Sequence, residues 1–491
     1  MSRDELLLGI DIGTSSSKGV LATPGGEVVA TAERPHDVSR PLPGHVEHDA
    51  EGVWWTDFLA LCRELVDPAA PPAAVCVSGI GACLLPLDAA GAPLRPAILY
   101  GVDTRATAEI AELRERYGDE ALMARTGSLL TTQAIGPKLL WLQRREPAVW
   151  AATARFVMAS SFAVLRLTGE YVLDHQSASM CDPMYDLGAF GWADDWAEEV
   201  APGLELPRLL WPAEVAGTVT AQAAEVTGLA VGTPVAAGTI DAWSEAASVG
   251  VEAPGDCMLM YGTTMFLIAV LAGPRSHPAL WGTTGAFPGT RTLSGGMATS
   301  GALTGWLREL VGGVPFAQLV DEAAAVPPGS DGLVVLPYFA GERTPIFDPD
   351  ARGAVLGLTL SHGRGHLYRA LLEATAFGVR HNLEVMGDAA RRLVAVGGGT
   401  RGGLWTQIVS DVTGRPQDVC GQTIGAAYGD ARFAGIAAGL VDARAEWNPV
   451  AFGVEPDTSA RGRYDELYGI YRDLYPATRE HAHALAAIQR G

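Results

Sequence analysis

Lysine, cysteine and long uncharged runs are all scarce in this sequence, and each scarcity excludes a class of protein. Two of the 35 basic residues are lysines, Lys18 and Lys138, and 56 acidic residues bring the formal charge to −21. A diffusely acidic surface repels a phosphate backbone, so we expect no nucleic-acid partner. The six cysteines contain no C-x-x-C pair, and a reducing cytoplasm fits them best.

A membrane partner and an exported product are both disfavoured. The uncharged stretch 257–274 approaches membrane length, but Gly262-Thr263-Thr264 interrupts it like a turn, so we expect a buried hairpin there. The opening M-S-R-D-E lacks the basic-then-apolar order of a signal peptide. We therefore expect no membrane partner and a cytoplasmic location.

The chain is long and apolar enough for large cores. Its 491 residues, 48% of them hydrophobic, predict two or three folded domains. Strand and helix patterns alternate along the first half, which predicts a mixed α/β fold.

Two segments share one local pattern. The run L-L-L-G-I-D-I-G-T predicts a strand, a turn over 13–17 and a second strand from Lys18 to Leu21. Residues 258–271 repeat the order strand, Gly-Thr turn, strand. The repeat predicts a duplicated domain with a cleft between the copies, divided as 1–246 and 247–491.

Asp11 lies between Ile10 and Ile12, where an unpaired buried carboxylate would cost several kcal/mol. It is either an edge carboxylate satisfied by turn amides, or an acid beside a metal or phosphate. In the second case Gly13, Thr14 and Ser15 would form an anion nest. Gly262, Thr263 and Thr264 present the same kinds of donor group. They form either a simple turn or a second phosphate clamp.

Asp241 precedes the Ala-rich run A-W-S-E-A-A. One interpretation is a helix N-cap, and the other is a general base that takes the proton of an attacking hydroxyl. Gly397 to Gly402 formally match G-x-G-x-x-G after a strand, but Asp418 is misplaced for a dinucleotide site. Lys18 and Lys138 are either solvated or needed as compact ammonium groups.

Taken in order along the chain, seven motifs resemble the FGGY carbohydrate kinases, most closely the xylulokinase-like branch. They are D-I-G-T-S-S-S-K-G at 11–19, P-K-L-L-W-L at 137–142, G-T-I-D at 238–241, Y-G-T-T at 261–264, P-Y-F-A-G-E-R-T-P at 337–345, D-P-D-A-R-G at 348–353 and V-G-G-G at 396–399.

The resemblance implies an α/β fold of two actin-like, ribonuclease H-like domains that bind ATP, Mg²⁺ and a sugar in the cleft. It implies Asp241 as the catalytic base and Asp11 and Asp241 as metal-side acids. The implied ATP and phosphate contacts are Asp11, Gly13, Thr14, Ser15, Lys18, Gly262, Thr263, Thr264, Gly301, Gly398, Gly399 and Gly402. The implied substrate contacts are Asp103, Arg105, Asp241, Ile80 and Gly81.

Departures from the family pattern concern the sugar. The segment 79–83 reads G-I-G-A-C where xylulokinases commonly show G-Q-M-H-G, and Ser161 stands where the family has an acid. Asp103 and Arg105 match the W-x-D-x-R stretch, and Asp174 matches an aspartate after L-T-G-E. We expect an altered sugar pocket beside intact phosphate machinery.

The expected function is ATP-dependent phosphorylation of a sugar hydroxyl, with a ketopentose such as xylulose as the first candidate. The alternatives are a kinase of another ketose or polyol, a sugar-sensing pseudokinase, an actin-related chaperone or filament protein, and a dehydrogenase. The sequence leaves the oligomeric state open, with a homodimer among the alternatives.

Overall fold

The computed structural model describes residues 5–490, which form two compact units with interleaved segments. Unit 1 runs to Glu252 and includes Gly273–Thr292 and Ile424–Asn448. Unit 2 comprises Ala253–Ala272, Leu293–Thr423 and the chain from Pro449 onward. The family-type domains 1–246 and 247–491 remain a prediction, because the contact-defined units are not two continuous stretches.

The strands of the described residues are short and numerous. They are β1 (Leu7–Ile12), β2 (Ser16–Ala22), β3 (Val28–Pro35), β4 (Glu47–His48), β5 (Ala74–Gly79), β6 (Leu85–Leu87), β7 (Ala97–Ile98), β8 (Arg155–Val157), β9 (Val172–Asp174), β10 (Tyr185–Asp186), β11 (Gly191–Trp192), β12 (Arg208–Leu210), β13 (Val215–Thr218), β14 (Pro234–Ala236), β15 (Asp256–Tyr261), β16 (Met265–Leu271), β17 (Trp281–Thr284), β18 (Arg291–Met297), β19 (Val334–Leu336), β20 (Ala354–Leu356), β21 (Arg392–Val396), β22 (Gln417–Cys420) and β23 (Val450–Val454).

The α-helices alternate with these strands. They are α1 (Thr56–Leu65), α2 (Thr107–Tyr117), α3 (Asp119–Thr126), α4 (Ile135–Arg145), α5 (Pro147–Ala152), α6 (Ala159–Thr168), α7 (His175–Ala178), α8 (Asp194–Val200), α9 (Ala221–Thr227), α10 (Asp241–Ser248), α11 (Gly301–Leu310), α12 (Phe316–Ala324), α13 (Arg364–Met386), α14 (Leu404–Thr413), α15 (Ala426–Ala437) and α16 (Arg461–Arg490). A π-helical turn spans Ala50–Trp55, and 3-10 turns span Ser330–Gly332, Gly387–Ala389, Gly398–Gly402 and Thr458–Ala460.

The sheet of unit 1 has the strand order β13-β14-β5-β1-β2-β3. Its central strand β1 pairs antiparallel with β2 and parallel with β5. Leu7 and Leu8, whose side chains point to opposite faces of the sheet, are both fully buried, as expected for a strand whose two faces are covered. The register sets Asp11 opposite Lys18 on one side and Ser78 on the other.

Unit 2 repeats this arrangement. Its strand β15 pairs antiparallel with β16 and parallel with β21, which continues into β22 and β23. The stretch that approached membrane length is therefore the hairpin β15–β16, as predicted. The shared three-strand pattern supports the predicted duplication.

Within unit 1, helix α15 packs closely against β1 and α10 at two glycines. A Cβ atom at Gly9 would lie 2.0 Å from the carbonyl oxygen of Ala427, and one at Gly429 would lie 1.9 Å from that of Ser244. Only glycine permits backbones this close. The small residues of α15 thus bring this helix against both β1 and α10.

None of the helices in residues 5–490 is long and apolar enough to cross a membrane.

Candidate active site

Asp11 lies near the end of β1 and is partly buried. Ser78 Oγ lies 3.3 Å from its Oδ1 atom. Burial raises the pKa of Asp11 from 3.8 to about 6, while the charge of Lys18 opposes that shift. Any further positive charge brought close to Asp11 would favour its ionised form over the protonated acid.

Asp241 begins α10, the helix that follows β14. Gly238 makes this path possible: its φ is +70°, and a Cβ atom there would lie 1.9 Å from the carbonyl oxygen of Val77. The N-cap interpretation of Asp241 is corrected, because Ile240 occupies the cap position and Asp241 is the first helical residue. Its Oδ1 atom accepts a hydrogen bond from the Ala242 amide at 2.7 Å.

Burial raises the pKa of Asp241 well above its usual value, and the charges of Asp11 and Glu245 raise it further. Gly79 pairs with Ile12 on one side and with Ile240 on the other, so the structure places the predicted metal-side acid and the predicted base at the same end of the sheet. A carboxylate with a raised pKa is a stronger base than an ordinary aspartate once it is ionised.

Two further acids of this group were missed from the sequence. Glu245 lies one helical turn after Asp241, and burial followed by the charge of Asp11 raises its pKa to about 7. The i,i+4 spacing from Asp241 on a predicted helix could have identified it. Asp430 on α15 is fully buried, and burial raises its pKa well above the usual value. Nothing in its local sequence identified it.

A histidine side chain, His36, contacts the backbone of the first Gly-Thr turn. His36 Nδ1 lies 2.7 Å from Asp57 Oδ2, and His36 Nε2 lies 3.1 Å from the Gly13 carbonyl oxygen. Within the turn the Gly13 amide donates to the Ser16 carbonyl at 3.1 Å. Thr14 and Ser15 form its tip, and Thr14 Oγ1 lies 3.4 Å from the Tyr100 hydroxyl.

Lys18 is 44% exposed in its side chain, with Nζ 3.9 Å from Glu33. Lys138 differs sharply: it is 1% exposed, and its Nζ atom lies 3.5 Å from the Ala82 carbonyl oxygen. Burial lowers the pKa of Lys138 to about 8. The two lysines therefore occupy opposite environments, and only Lys18 fits the solvated interpretation.

The backbone of segment 79–83 contacts residues that are next to Asp11 and Asp241 in sequence. The Ile80 amide donates to the Ile12 carbonyl at 2.7 Å, and the Ile80 side chain is buried. A Cβ atom at Gly81 would lie 2.3 Å from Cγ1 of Ile240. The predicted substrate residues Ile80 and Gly81 thus contact Ile12, at the end of the strand that carries Asp11, and Ile240, directly before the helix that carries Asp241.

Asp103 and Arg105 form a buried ion pair. Arg105 Nη2 lies 2.7 Å from Asp103 Oδ2 and 2.8 Å from Glu47 Oε1, and both side chains of the pair are fully buried. The Val46 amide also donates to Asp103 at 2.6 Å. Asp174 is connected to the start of α10 through Thr239. It accepts a hydrogen bond from the Thr239 hydroxyl at 3.0 Å, and Thr239 lies two residues before Asp241.

In unit 2 the second Gly-Thr turn is tied to the start of α11. The Gly301 amide donates to the Gly262 carbonyl at 3.0 Å, and the Ser300 and Ala302 amides each donate to the Thr263 carbonyl at 3.1 Å. A Cβ atom at Gly301 would lie 2.6 Å from the Gly262 carbonyl oxygen. Thr264 closes the turn, accepting from the Gly262 amide at 3.2 Å.

The glycine-rich segment that follows β21 lies beside the same turn. Gly397 has φ +94°, and a Cβ atom there would lie 2.8 Å from the Tyr261 carbonyl oxygen. Gly398, Gly399 and Gly402 form a 3-10 turn rather than entering a helix directly. Asp418 accepts from Arg392 Nε at 2.8 Å, so it does not serve as the ribose-binding acid of a dinucleotide fold.

The carboxylates of unit 1 suit a hard cation. Asp11 and Asp241 repel each other electrostatically and offer the oxygen ligands that Mg²⁺ prefers. Within residues 5–490, no group of three or more His, Cys, Asp or Glu side chains is arranged to hold a metal. The donor set therefore fits an ion that two carboxylates hold together with oxygen atoms of a substrate.

Comparison with known proteins places these residues in context. Residues 6–250 match the N-terminal domain model of the FGGY family of carbohydrate kinases, and residues 257–438 match the C-terminal one. The chain is 31% identical to a xylulose kinase of Escherichia coli (strain K12), with 96% of this chain and 98% of that protein covered.

A glycerol kinase of Nocardia farcinica is 32% identical, with 89% and 92% covered. The crystal structure of a xylulose kinase from Rhodospirillum rubrum is similar with a TM-score of 0.88 at 36% identity, covering 98% of this chain and 100% of that one.

Proposed function

We propose that this chain, which belongs to the FGGY family of carbohydrate kinases, transfers the γ-phosphate of ATP to a hydroxyl of the ketopentose xylulose. Membership of the family makes the chain a phosphotransferase with an alcohol acceptor and ATP as donor. Xylulose is supported by similarity over nearly the full length to relatives named xylulose kinase.

The observation that carries the mechanism is the paired environment of Asp241 and Asp11. In phosphoryl transfer the protein mainly positions the reactants and stabilises charge, and a base accepts the proton of the attacking hydroxyl. Asp241, held at the start of α10 and raised in pKa by burial and by Asp11, is suited to take that proton. The sugar hydroxyl would donate to its carboxylate before attack.

The remaining assignments follow the same chemistry. The amides and hydroxyls of Gly13, Thr14 and Ser15 would bind phosphate oxygens, as would the turn Gly262 to Thr264. Gly301, Gly398, Gly399 and Gly402 would accept the adenosine part, because close approach there needs no side chain. Asp11 and Asp241 would hold Mg²⁺, which neutralises phosphate charge when bound.

The acceptor is tested by measuring ADP release in a coupled assay with ATP and Mg²⁺. The panel contains xylulose, ribulose, fructose, erythritol and glycerol, each with wild type and Asp241→Asn. We expect xylulose to give the highest kcat/KM, and its phosphorylation to be lost in the variant. Equal or higher kcat/KM for another acceptor would contradict the xylulose proposal.

A different ketose or polyol is the second candidate, and the segment 79–83 favours it. Ile80, Ala82 and Cys83 are buried, so this segment offers few polar side-chain groups to a sugar. The sugar-sensing alternative predicts that a sugar raises the melting temperature without ADP release for any compound of the panel.

We also propose a cytoplasmic protein without a nucleic-acid partner. The net charge of −21 and six buried cysteines that form no disulfide bond within residues 5–490 support this. The molar mass measured by analytical ultracentrifugation would test whether the protein is a homodimer.

A further inference from the structure

The buried carboxylic acid Asp430 contacts two serines that belong to different elements of unit 1. Ser78 Oγ lies 2.6 Å from Asp430 Oδ2, and Ser244 Oγ lies 2.6 Å from Asp430 Oδ1. All three side chains are fully buried. Burying a carboxylic acid costs free energy unless its oxygen atoms are hydrogen-bonded, and here each oxygen of Asp430 has a serine partner.

Each serine leads to one of the two carboxylates of the proposed mechanism. Ser78 is the register partner of Asp11, and its Oγ atom lies 3.3 Å from Asp11 Oδ1. Ser244 is on α10, three residues after Asp241, and its Oγ atom also lies 3.1 Å from the Ala426 carbonyl oxygen. Asp430 is thus linked to both acids without touching either.

The packing of helix α15 fixes the position of the Asp430 side chain. The close approaches at Gly9 and Gly429 fix α15 against β1 and α10, which are the elements that carry Asp11 and Asp241. Cys76 Sγ, 3.9 Å from Asp430 Oδ1, adds a weak contact from β5. The position of Asp430 is therefore determined from three sides.

We propose that Asp430 is a positioning residue for the phosphoryl transfer. Through Ser78 it orients the Asp11 carboxylate, and through Ser244 it holds the helix that presents Asp241. This inference rests on the proposed function, since it takes the roles of Asp11 and Asp241 from there. Partners of this kind, one step removed from a metal-side group, commonly change metal affinity or activity by about 10- to 100-fold when mutated.

The test compares Ser78→Ala, Ser244→Ala, Asp430→Asn and Asp430→Ala with wild type. Two quantities are measured: the Mg²⁺ concentration for half-maximal activity, and the rise in melting temperature that Mg²⁺ plus ADP produces without sugar. The matched control is Ser128→Ala, which also removes a buried serine hydrogen bond, here to the Gly282 carbonyl at 2.9 Å.

We expect Ser78→Ala to raise the half-maximal Mg²⁺ concentration about 10-fold and to reduce the Mg²⁺–ADP stabilisation. Ser244→Ala should mainly lower kcat, and it should raise the half-maximal Mg²⁺ concentration less than Ser78→Ala does, because Asp241 is both the proposed base and a proposed Mg²⁺ ligand. Asp430→Ala should combine both effects, and Asp430→Asn should retain most activity because an amide can replace both hydrogen bonds. Ser128→Ala should change stability alone.

An unchanged Mg²⁺ dependence and kcat in Asp430→Ala would overturn the proposal. If that variant does not fold, wild-type kinetics in both serine variants would overturn it equally. A wild-type protein that phosphorylates no sugar would defeat the proposed function, and the Mg²⁺–ADP stabilisation would still decide whether Ser78 and Asp430 act on Asp11.

Discussion

Gly81 lies directly against Ile240, the residue that precedes the proposed base. A Cβ atom at position 81 would stand 2.3 Å from Cγ1 and 2.4 Å from Cδ1 of Ile240. The Gly79 amide, two residues earlier, donates to the Thr239 carbonyl at 3.1 Å. The segment 79–83 therefore contacts the two residues that lead into Asp241.

Gly81→Ala should consequently impair chemistry more than binding. The new methyl group displaces Ile240 and with it the start of α10, and a displacement near 1 Å costs about 100-fold in rate. We expect a fall in kcat of about that size with the KM for ATP nearly unchanged. Adding Ile240→Ala removes the clash and should restore part of kcat; no recovery in the double variant would contradict this explanation.

Much of the fold was predictable because short-range patterns determine it. The hairpins β1–β2 and β15–β16 were predicted and are confirmed. The predicted fold class, two actin-like α/β domains, is confirmed by the family match and by the structural neighbours. Element ends were less exact: the second strand of the first hairpin, predicted from Lys18 to Leu21, spans Ser16–Ala22.

The candidate site was only partly predictable. Asp11 and Asp241 stand in recognisable sequence motifs, whereas the role of Asp430 depends on Ser78 and Ser244, which are 352 and 186 residues away in sequence. No local pattern carries such information. The N-cap interpretation of Asp241 failed because the helix starts one residue earlier than a cap at 241 requires.

Glu245 should make the protein less stable as the pH rises. Its pKa in the folded chain is about 7 against 4.5 for the ordinary group, raised by burial and by Asp11. Between these values the folded state holds a proton that the unfolded state has released, so the free energy of unfolding falls with pH and levels off above 7.

Glu245→Gln removes this effect. We expect it to raise the free energy of unfolding at pH 8 by on the order of 1–3 kcal/mol and to flatten the fall between pH 4.5 and 7. Urea unfolding without Mg²⁺ or nucleotide measures both. Glu225→Gln, on the exposed side of α9, is the control and should leave the profile unchanged; destabilisation of Glu245→Gln at pH 8 would refute the argument.

Gly301→Ala should weaken ATP binding. Its Cβ atom would lie 2.6 Å from the Gly262 carbonyl oxygen and would push the second Gly-Thr turn away from α11. We expect the KM for ATP to rise about 10-fold with the KM for sugar unchanged. Gly305→Ala, on the same helix with nothing within 4 Å of its Cβ position, is the matched control.

Gly305→Ala should leave the kinetics intact and stabilise the helix by about 0.5–1 kcal/mol. An equal effect of both alanines on the KM for ATP would show that the turn is not what Gly301 protects.

Asp103→Ala should destabilise the protein as well as impair sugar binding. It removes one carboxylate from the buried Arg105 guanidinium, which costs about 3–5 kcal/mol in comparable buried pairs. Asp119→Ala breaks the exposed pair with Arg114 and should cost about 1 kcal/mol or less. A normal free energy of unfolding in Asp103→Ala, with only the KM for sugar raised, would mean that the pair has no structural role.

The most direct test of the account is the turnover of Asp241→Asn with ATP, Mg²⁺ and the best acceptor of the sugar panel. Loss of a general base predicts that kcat falls about 10³-fold while Mg²⁺–ADP still raises the melting temperature. Asp194→Asn, which changes the exposed first residue of α8, should have wild-type kcat. Near-normal turnover of Asp241→Asn would contradict the central claim that this carboxylate takes the proton of the attacking hydroxyl.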